Sequence, residues 1–141
     1  MTTIRAMIVG IDPGVTTGLA VWNKLDRRLH MVTSMGIIEA QRTVKSMWEF
    51  GSLRSVVYED ARLRKWFAEK GKEALMGAGS IRRESAIWAE FLGTLPGLPY
   101  TAVSPQNKGR KLDAAAFKRL TGWDGRTNEH GRDAAMLCFG L

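Results

Sequence analysis

Two short runs of apolar residues each end in a carboxylate. Ile8, Val9, Gly10 and Ile11 lead to Asp12, and Ser55, Val56, Val57 and Tyr58 lead to Glu59. Runs this short and this rich in Ile and Val read as buried strands. A further pair, His130 and Asp133, stands three residues apart at the start of the C-terminal segment. Carboxylates at the ends of two strands, with an i, i+3 pair on a helix, can converge on one point. Gathered carboxylates repel, so such a cluster needs a cation, a shared proton or basic partners. In a basic chain the pattern suggests a metal site that works on phosphates.

The remaining segments supply a frame for that convergence. Residues 4–11 read as the first strand, closed by the turn sequence Asp12-Pro13-Gly14. Residues 18–23 and 29–36 read as the second and third, joined through a polar turn, and short connections make the three an antiparallel meander. Residues 38–50 carry Ile38, Val44, Met47, Trp48 and Phe50 and read as an amphipathic helix. The fourth strand, 54–59, is reached through that helix, which makes it parallel to the first. The charged stretch 61–72 breaks the pattern and reads as a loop or the start of a helix. Residues 73–92 read as a helix whose apolar positions include Ile81, Ile87, Trp88 and Phe91, either a core stripe or part of a dimer interface. Glu69, Glu73 and Glu84 read as surface charges. A turn at 96–99, a fifth strand at 100–103, a helix at 112–120, a polar loop at 122–128 and a last helix at 129–139 complete the order. The expected fold class is α/β: one mixed five-stranded sheet flanked by helices on both faces.

A chain of 141 residues makes one domain, 1–141, long enough for a real core. Its formal net charge of +7 implies a polyanion partner, most simply nucleic acid; the plain alternative is a basic soluble protein. The charge is clustered. Arg62, Arg64, Lys65, Lys70 and Lys72 follow Glu59, and Lys108, Arg110, Lys111, Lys118 and Arg119 form a second group. The one cysteine, Cys138, excludes an intrachain disulfide and a Cys-based zinc site, and its apolar neighbours make it a small core residue. With no secretory leader and no stretch near the roughly 20 apolar residues of a membrane helix, a cytoplasmic protein is expected, with neither membrane nor small-molecule substrate as partner.

These motifs carry a resemblance. Gly10-Ile11-Asp12-Pro13-Gly14 with Thr17-Gly18 resembles the opening of RuvC-type Holliday-junction resolvases, in the ribonuclease H-like superfamily. Val57-Tyr58-Glu59 looks like that family's fourth-strand glutamate, and His130-Gly131-Arg132-Asp133-Ala134-Ala135 like the acidic pair on its last helix. Order and spacing agree over nearly the whole chain, whose compact length is similar to the bacteriophage versions. The resemblance implies a homodimeric, magnesium-dependent endonuclease that nicks branched DNA, the four-way junction above all, at symmetric positions. It assigns the metal site and catalysis to Asp12, Glu59, His130 and Asp133. His130 departs from the aspartate of many members. An imidazole nitrogen binds manganese more readily than it binds magnesium, which prefers oxygen, so manganese is expected to substitute. The family's base-contacting aromatic after the glutamate has no match in place; Arg62 stands about there, and Trp66 and Phe67 follow.

Two-metal phosphodiester hydrolysis needs a bridging carboxylate and outer ligands, with the ions about 4 Å apart. Asp12 is the expected bridge, Glu59 and Asp133 the outer ligands, and His130 a ligand or a proton acceptor. Plainer roles compete: a turn aspartate for Asp12, a solvated strand end for Glu59, helix capping for His130 and Asp133. Asp60 competes with Glu59, but strand alternation points the two to opposite faces. The expected DNA contacts are Arg62, Arg64, Lys65, Trp66, Phe67, Lys108 and Lys111, combining cations with aromatics for stacking. Other readings are a phosphate loop of the actin and sugar-kinase superfamily, for which the chain is too short to form both lobes, a non-cleaving DNA-binding module, and a nuclease of forks, flaps or RNA–DNA hybrids.

Overall fold

Strands with apolar residues on both sides need cover on both sides, and this fold supplies it. The structure, a computed structural model, describes residues 4–63, 71–105 and 111–141, and the side chains of all of these except 71–81. Strands β1 (Met7–Asp12), β2 (Thr16–Asn23) and β3 (Arg28–Gly36) form the meander, helix α1 (Ile37–Phe50) follows, and β4 (Leu53–Glu59) returns to the sheet. A 3-10 turn at Ala61–Leu63, helix α2 (Gly71–Gly93), strand β5 (Tyr100–Val103), helix α3 (Ala114–Thr121) and helix α4 (Glu129–Cys138) complete the described elements. The sheet order is β3-β2-β1-β4-β5. The β1–β2 and β2–β3 pairs are antiparallel, and the β1–β4 and β4–β5 pairs are parallel. β4 thus joins β1 in parallel, as the helical crossover requires.

Alternation along β1 sends its side chains to two separate cores. Val9 and Ile11 pack with Leu19, Val21, Val56 and Tyr58 against Ala40 and Val44 of α1 and Trp88 and Leu92 of α2. Ile8 packs with Ala20, Trp22 and Val32 against Phe117 of α3 and Ala134, Ala135 and Cys138 of α4. Leu92 is fully buried, worth roughly 2 kcal/mol of transfer free energy. Asp12 has the parity of Ile8 and Gly10, so it faces α4. In β4, Val57 packs on the α4 side, which gives Glu59 the same facing.

Several local expectations shift. Ile38 and Phe50 are exposed; Val44, Met47 and Trp48 face inward as expected, joined by Ile37 and Ala40 in a helical stripe. Gly51, at φ 87°, closes that helix in the left-handed region glycine tolerates, its N–H bonding back to Met47 and Trp48. Glu84 is buried rather than a surface charge, because Glu84, Ser85, Trp88 and Leu92 share the inward side of α2. The expected stripe on that helix divides: Trp88 is core, Phe91 packs edge-on against it with ring centroids 5.6 Å apart, and Ile87 is exposed. The side chain of Ile81 lies outside those described. Helix α3 starts two residues later than expected because Asp113 caps it, accepting from the Ala116 N–H at 2.8 Å. Among the described residues, no helix is long and apolar enough to cross a membrane.

Candidate active site

The ends of β1 and β4 lie side by side. Ile11 pairs with Tyr58, so Asp12 and Glu59 are the next residues outward on neighbouring parallel strands, on the face that α4 covers. Helix α4 approaches unusually close. A Cβ on Gly10 would collide with the carbonyl oxygen of Ala134, and one on Gly18 with the carbonyl oxygen of His130. Those carbonyls are one helical turn apart, so the two glycines let the helix backbone rest on the strands. Gly18 pairs with Asp12 across β1 and β2. The first turn of α4 is thereby set down beside the Asp12 carboxylate.

Asn128 fixes where that turn begins. Its Oδ1 accepts from the Gly131 N–H at 2.8 Å, and its Nδ2 donates to Ser34 Oγ on β3 at 2.6 Å. The cap of α4 is therefore Asn128, not His130 or Asp133, whose side chains serve elsewhere. His130 Nδ1 lies 3.2 Å from Asp12 Oδ2. Burial pushes the Asp12 carboxyl above the usual range; the hydrogen bond to His130 opposes this, and the nearby Asp133 charge adds to it. After β1 the chain is clasped by Thr17 Oγ1, which donates to the Gly14 carbonyl at 2.7 Å.

Lys111 closes the other side. Its Nζ lies 2.8 Å from Glu129 Oε1 and 3.2 Å from Asp133 Oδ2. The lysine pKa is driven upward by the Glu129 contact, and Glu129 is held below its usual range by the same ammonium. Lys111 therefore sits against the acidic turn of α4, where DNA contact alone was expected of it. Glu129 was not foreseen in the site. Its i, i+4 spacing to Asp133 was the available signal, since that spacing shares one helix face.

Asp60 and Arg62 make a separate unit beside Glu59. Arg62 Nε donates to Asp60 Oδ1 at 2.9 Å and Nη2 donates to Oδ2 at 2.7 Å. The Arg62 hydrogen bonds hold the Asp60 carboxyl below the usual range. Ser85 Oγ of α2 accepts from the Ala61 N–H at 3.2 Å. These contacts pin the chain where β4 ends, and so fix the backbone that carries Glu59. Arg62, expected at DNA, has its guanidinium committed to a buried carboxylate while remaining partly exposed. The other expected DNA contacts, Arg64, Lys65, Trp66, Phe67 and Lys108, lie outside the described residues.

The structure brings together Asp12, His130 and the Asp133–Lys111–Glu129 group, with Glu59 on the adjacent strand end. Oxygen-rich donors with one imidazole suit a hard divalent cation. The ammonium seated on two of the carboxylates marks the cluster as a place that takes positive charge. Among the described residues, no three His, Cys, Asp or Glu side chains gather closely enough in this conformation to hold one ion. The donors suit a divalent metal in chemical type, and Lys111 stands against two of them. No family model matches this chain, and no curated protein matches it, so the functional reading rests on the residues and their geometry.

Proposed function

We propose that the protein is a metal-dependent, structure-selective endodeoxyribonuclease with a ribonuclease H-like fold, acting on four-way junctions or other branched DNA. One observation carries this reading: two carboxylates end adjacent parallel strands on the face where α4 sets His130 against one of them. The sheet order and its mixture of parallel and antiparallel pairs support the fold assignment. The +7 charge supports a polyanionic substrate.

Asp12, Glu59, Asp133 and His130 would hold magnesium, or manganese in its place, as two ions per site. A divalent metal bound there supplies Lewis-acid activation of the phosphate and a nucleophilic water. Within the protein, Asp12 orients the His130 ring through Nδ1, which leaves Nε2 either to ligate the metal or to take a proton. Burial of Asp12 and the proximity of Asp133 raise the local demand for positive charge. Lys111 carries a point charge suited to a phosphate oxygen. A homodimer is part of the proposal, since two symmetric scissile phosphates match two sites related by a two-fold axis.

A non-cleaving DNA-binding module is the second reading, and the observation in its favour is the ammonium already neutralising Asp133. Incubating the protein with a labelled four-way junction, a fork and a linear duplex, with and without magnesium, separates the two. Paired nicks in the junction that require metal are expected. Tight junction binding without cleavage in either magnesium or manganese would establish the binding module instead. Light scattering on the same preparation should give the dimer mass, and a monomer with and without junction would remove the paired-nick mechanism.

A further inference from the structure

Lys111 spans two acids one helical turn apart, and its position is built rather than incidental. The following residue, Leu112, accepts a 3.1 Å hydrogen bond at its carbonyl from Arg132 Nε, while Arg132 Nη1 donates to Thr127 Oγ1 at 2.8 Å. Arg132 lies on α4 between Glu129 and Asp133. The helix therefore holds the segment that brings the ammonium to its own acidic turn. The hold on the ammonium itself is light. The Lys111 side chain is 67% exposed, against 28% for Asp133, and exposed ion pairs exchange readily with water and other ions. An anion arriving from solvent meets the lysine, whereas a cation seeking Asp133 meets a charge of its own sign.

We propose that Lys111 is an exchangeable counter-ion: in the absence of DNA its ammonium occupies Asp133, and a nucleic-acid phosphate draws it away, so polyanion binding and divalent-cation binding strengthen each other. This rests on the reading of the cluster as a metal site. A metal arriving at Asp133 must displace or oppose the ammonium, which weakens its binding while no DNA is present. A phosphate offers the ammonium another partner as a point charge. The coupling is reciprocal by linkage, so metal raises affinity for DNA by the factor by which DNA raises affinity for metal.

The test titrates manganese into the full chain without DNA, reading unbound manganese by electron paramagnetic resonance. Lys111→Met should bind manganese about tenfold more tightly than the wild type, Lys111→Arg should stay within about threefold of it, and Asp133→Asn should bind much more weakly. Equal or weaker manganese binding by Lys111→Met overturns the counter-ion role. If neither the wild type nor Lys111→Met binds manganese, and Asp133→Asn behaves as both do, the metal-site reading falls and takes this inference with it. A second arm measures affinity for a labelled junction in calcium and in chelator by fluorescence anisotropy. The gain from calcium should be about tenfold smaller in Lys111→Met than in the wild type. An identical gain in the two proteins overturns the coupling.

Discussion

Two aspartates at neighbouring strand ends meet opposite fates. Asp60, just beyond β4, receives a bidentate guanidinium, and the Arg62 contacts hold its carboxyl below the ordinary range. Asp12, at the end of β1, receives one imidazole nitrogen at 3.2 Å, and burial raises its carboxyl above that range. Both side chains are sheltered, at 4% and 16% exposure, so burial alone does not separate them. The difference lies in the partner. A carboxylate saturated by arginine is fixed as structure, because its charge is already answered. A sheltered carboxylate whose hydrogen-bond partner among the described residues is a histidine remains able to recruit a cation, which is how functional sites are commonly poised.

The most direct way to break this contrast is Asp12→Asn. On the proposed mechanism, cleavage of a junction should fall about a thousandfold or more, the equivalent of roughly 4 kcal/mol of transition-state stabilisation. Global stability by urea denaturation should stay level or rise, since a buried charge is replaced by a neutral amide. Wild-type turnover in this variant would make Asp12 as structural as Asp60.

Arg62→Ala tests the other side. It strands a buried carboxylate without its cation and should cost about 3 kcal/mol of stability. The sign with pH follows from the lowered Asp60 pKa. The stabilisation is present above the ordinary value of 3.8 and is lost as pH falls through the lower folded-state value. The stability gap between wild type and Arg62→Ala should therefore narrow on acidification below about pH 4. A loss under about 1 kcal/mol at neutral pH would place this pair among ordinary surface salt bridges.

Gly18→Ala asks whether helix contact sets the Asp12–His130 geometry. The added methyl meets the His130 carbonyl, and the backbone shift should cost about 2 kcal/mol. Junction cleavage should fall beyond what the loss of folded protein explains. Unchanged stability and cleavage would show that α4 can lift without consequence.

Cys138 supplies a third outcome, a buried acid that stays neutral. Burial pushes its thiol up to about 12 from an ordinary 9.0. Between those values the unfolded chain gives up this proton while the folded chain keeps it, so rising pH favours unfolding. The thiol's contribution should amount to about 1 kcal/mol at pH 10, read as the difference between wild type and Cys138→Ala in denaturation at pH 8 and pH 10. Rapid alkylation of the native protein at pH 8 would contradict this burial.

The meander and the parallel return of β4 beside β1 were legible because both depend on local patterns, short connections between strands and a helical crossover between β1 and β4. The opposite facing of Asp60 followed from strand alternation. Partners were a different matter. Arg62 finds Asp60 only because the chain bends into a 3-10 turn, and nothing in the charged run from Arg62 to Lys72 distinguishes a cation bound to the protein from one left for DNA. Lys111 reaches Asp133 across 22 residues, a contact set by how α4 lies on the sheet. Gly10 and Gly18 held the signal for that approach, since glycines inside strands mark a close backbone neighbour. In the sequence they read only as strand residues within a motif.

The contact of α4 with Gly10 and Gly18 also has a consequence for inheritance. Main-chain atoms meeting main-chain atoms define a datum that side-chain replacement leaves in place. Residues in the apolar layer under α1 and α2 can be exchanged for others of similar volume, and the distance from Asp12 to His130 will not register the change. A chain built this way can drift far in sequence while its chemistry stays aligned, provided two positions keep no side chain at all.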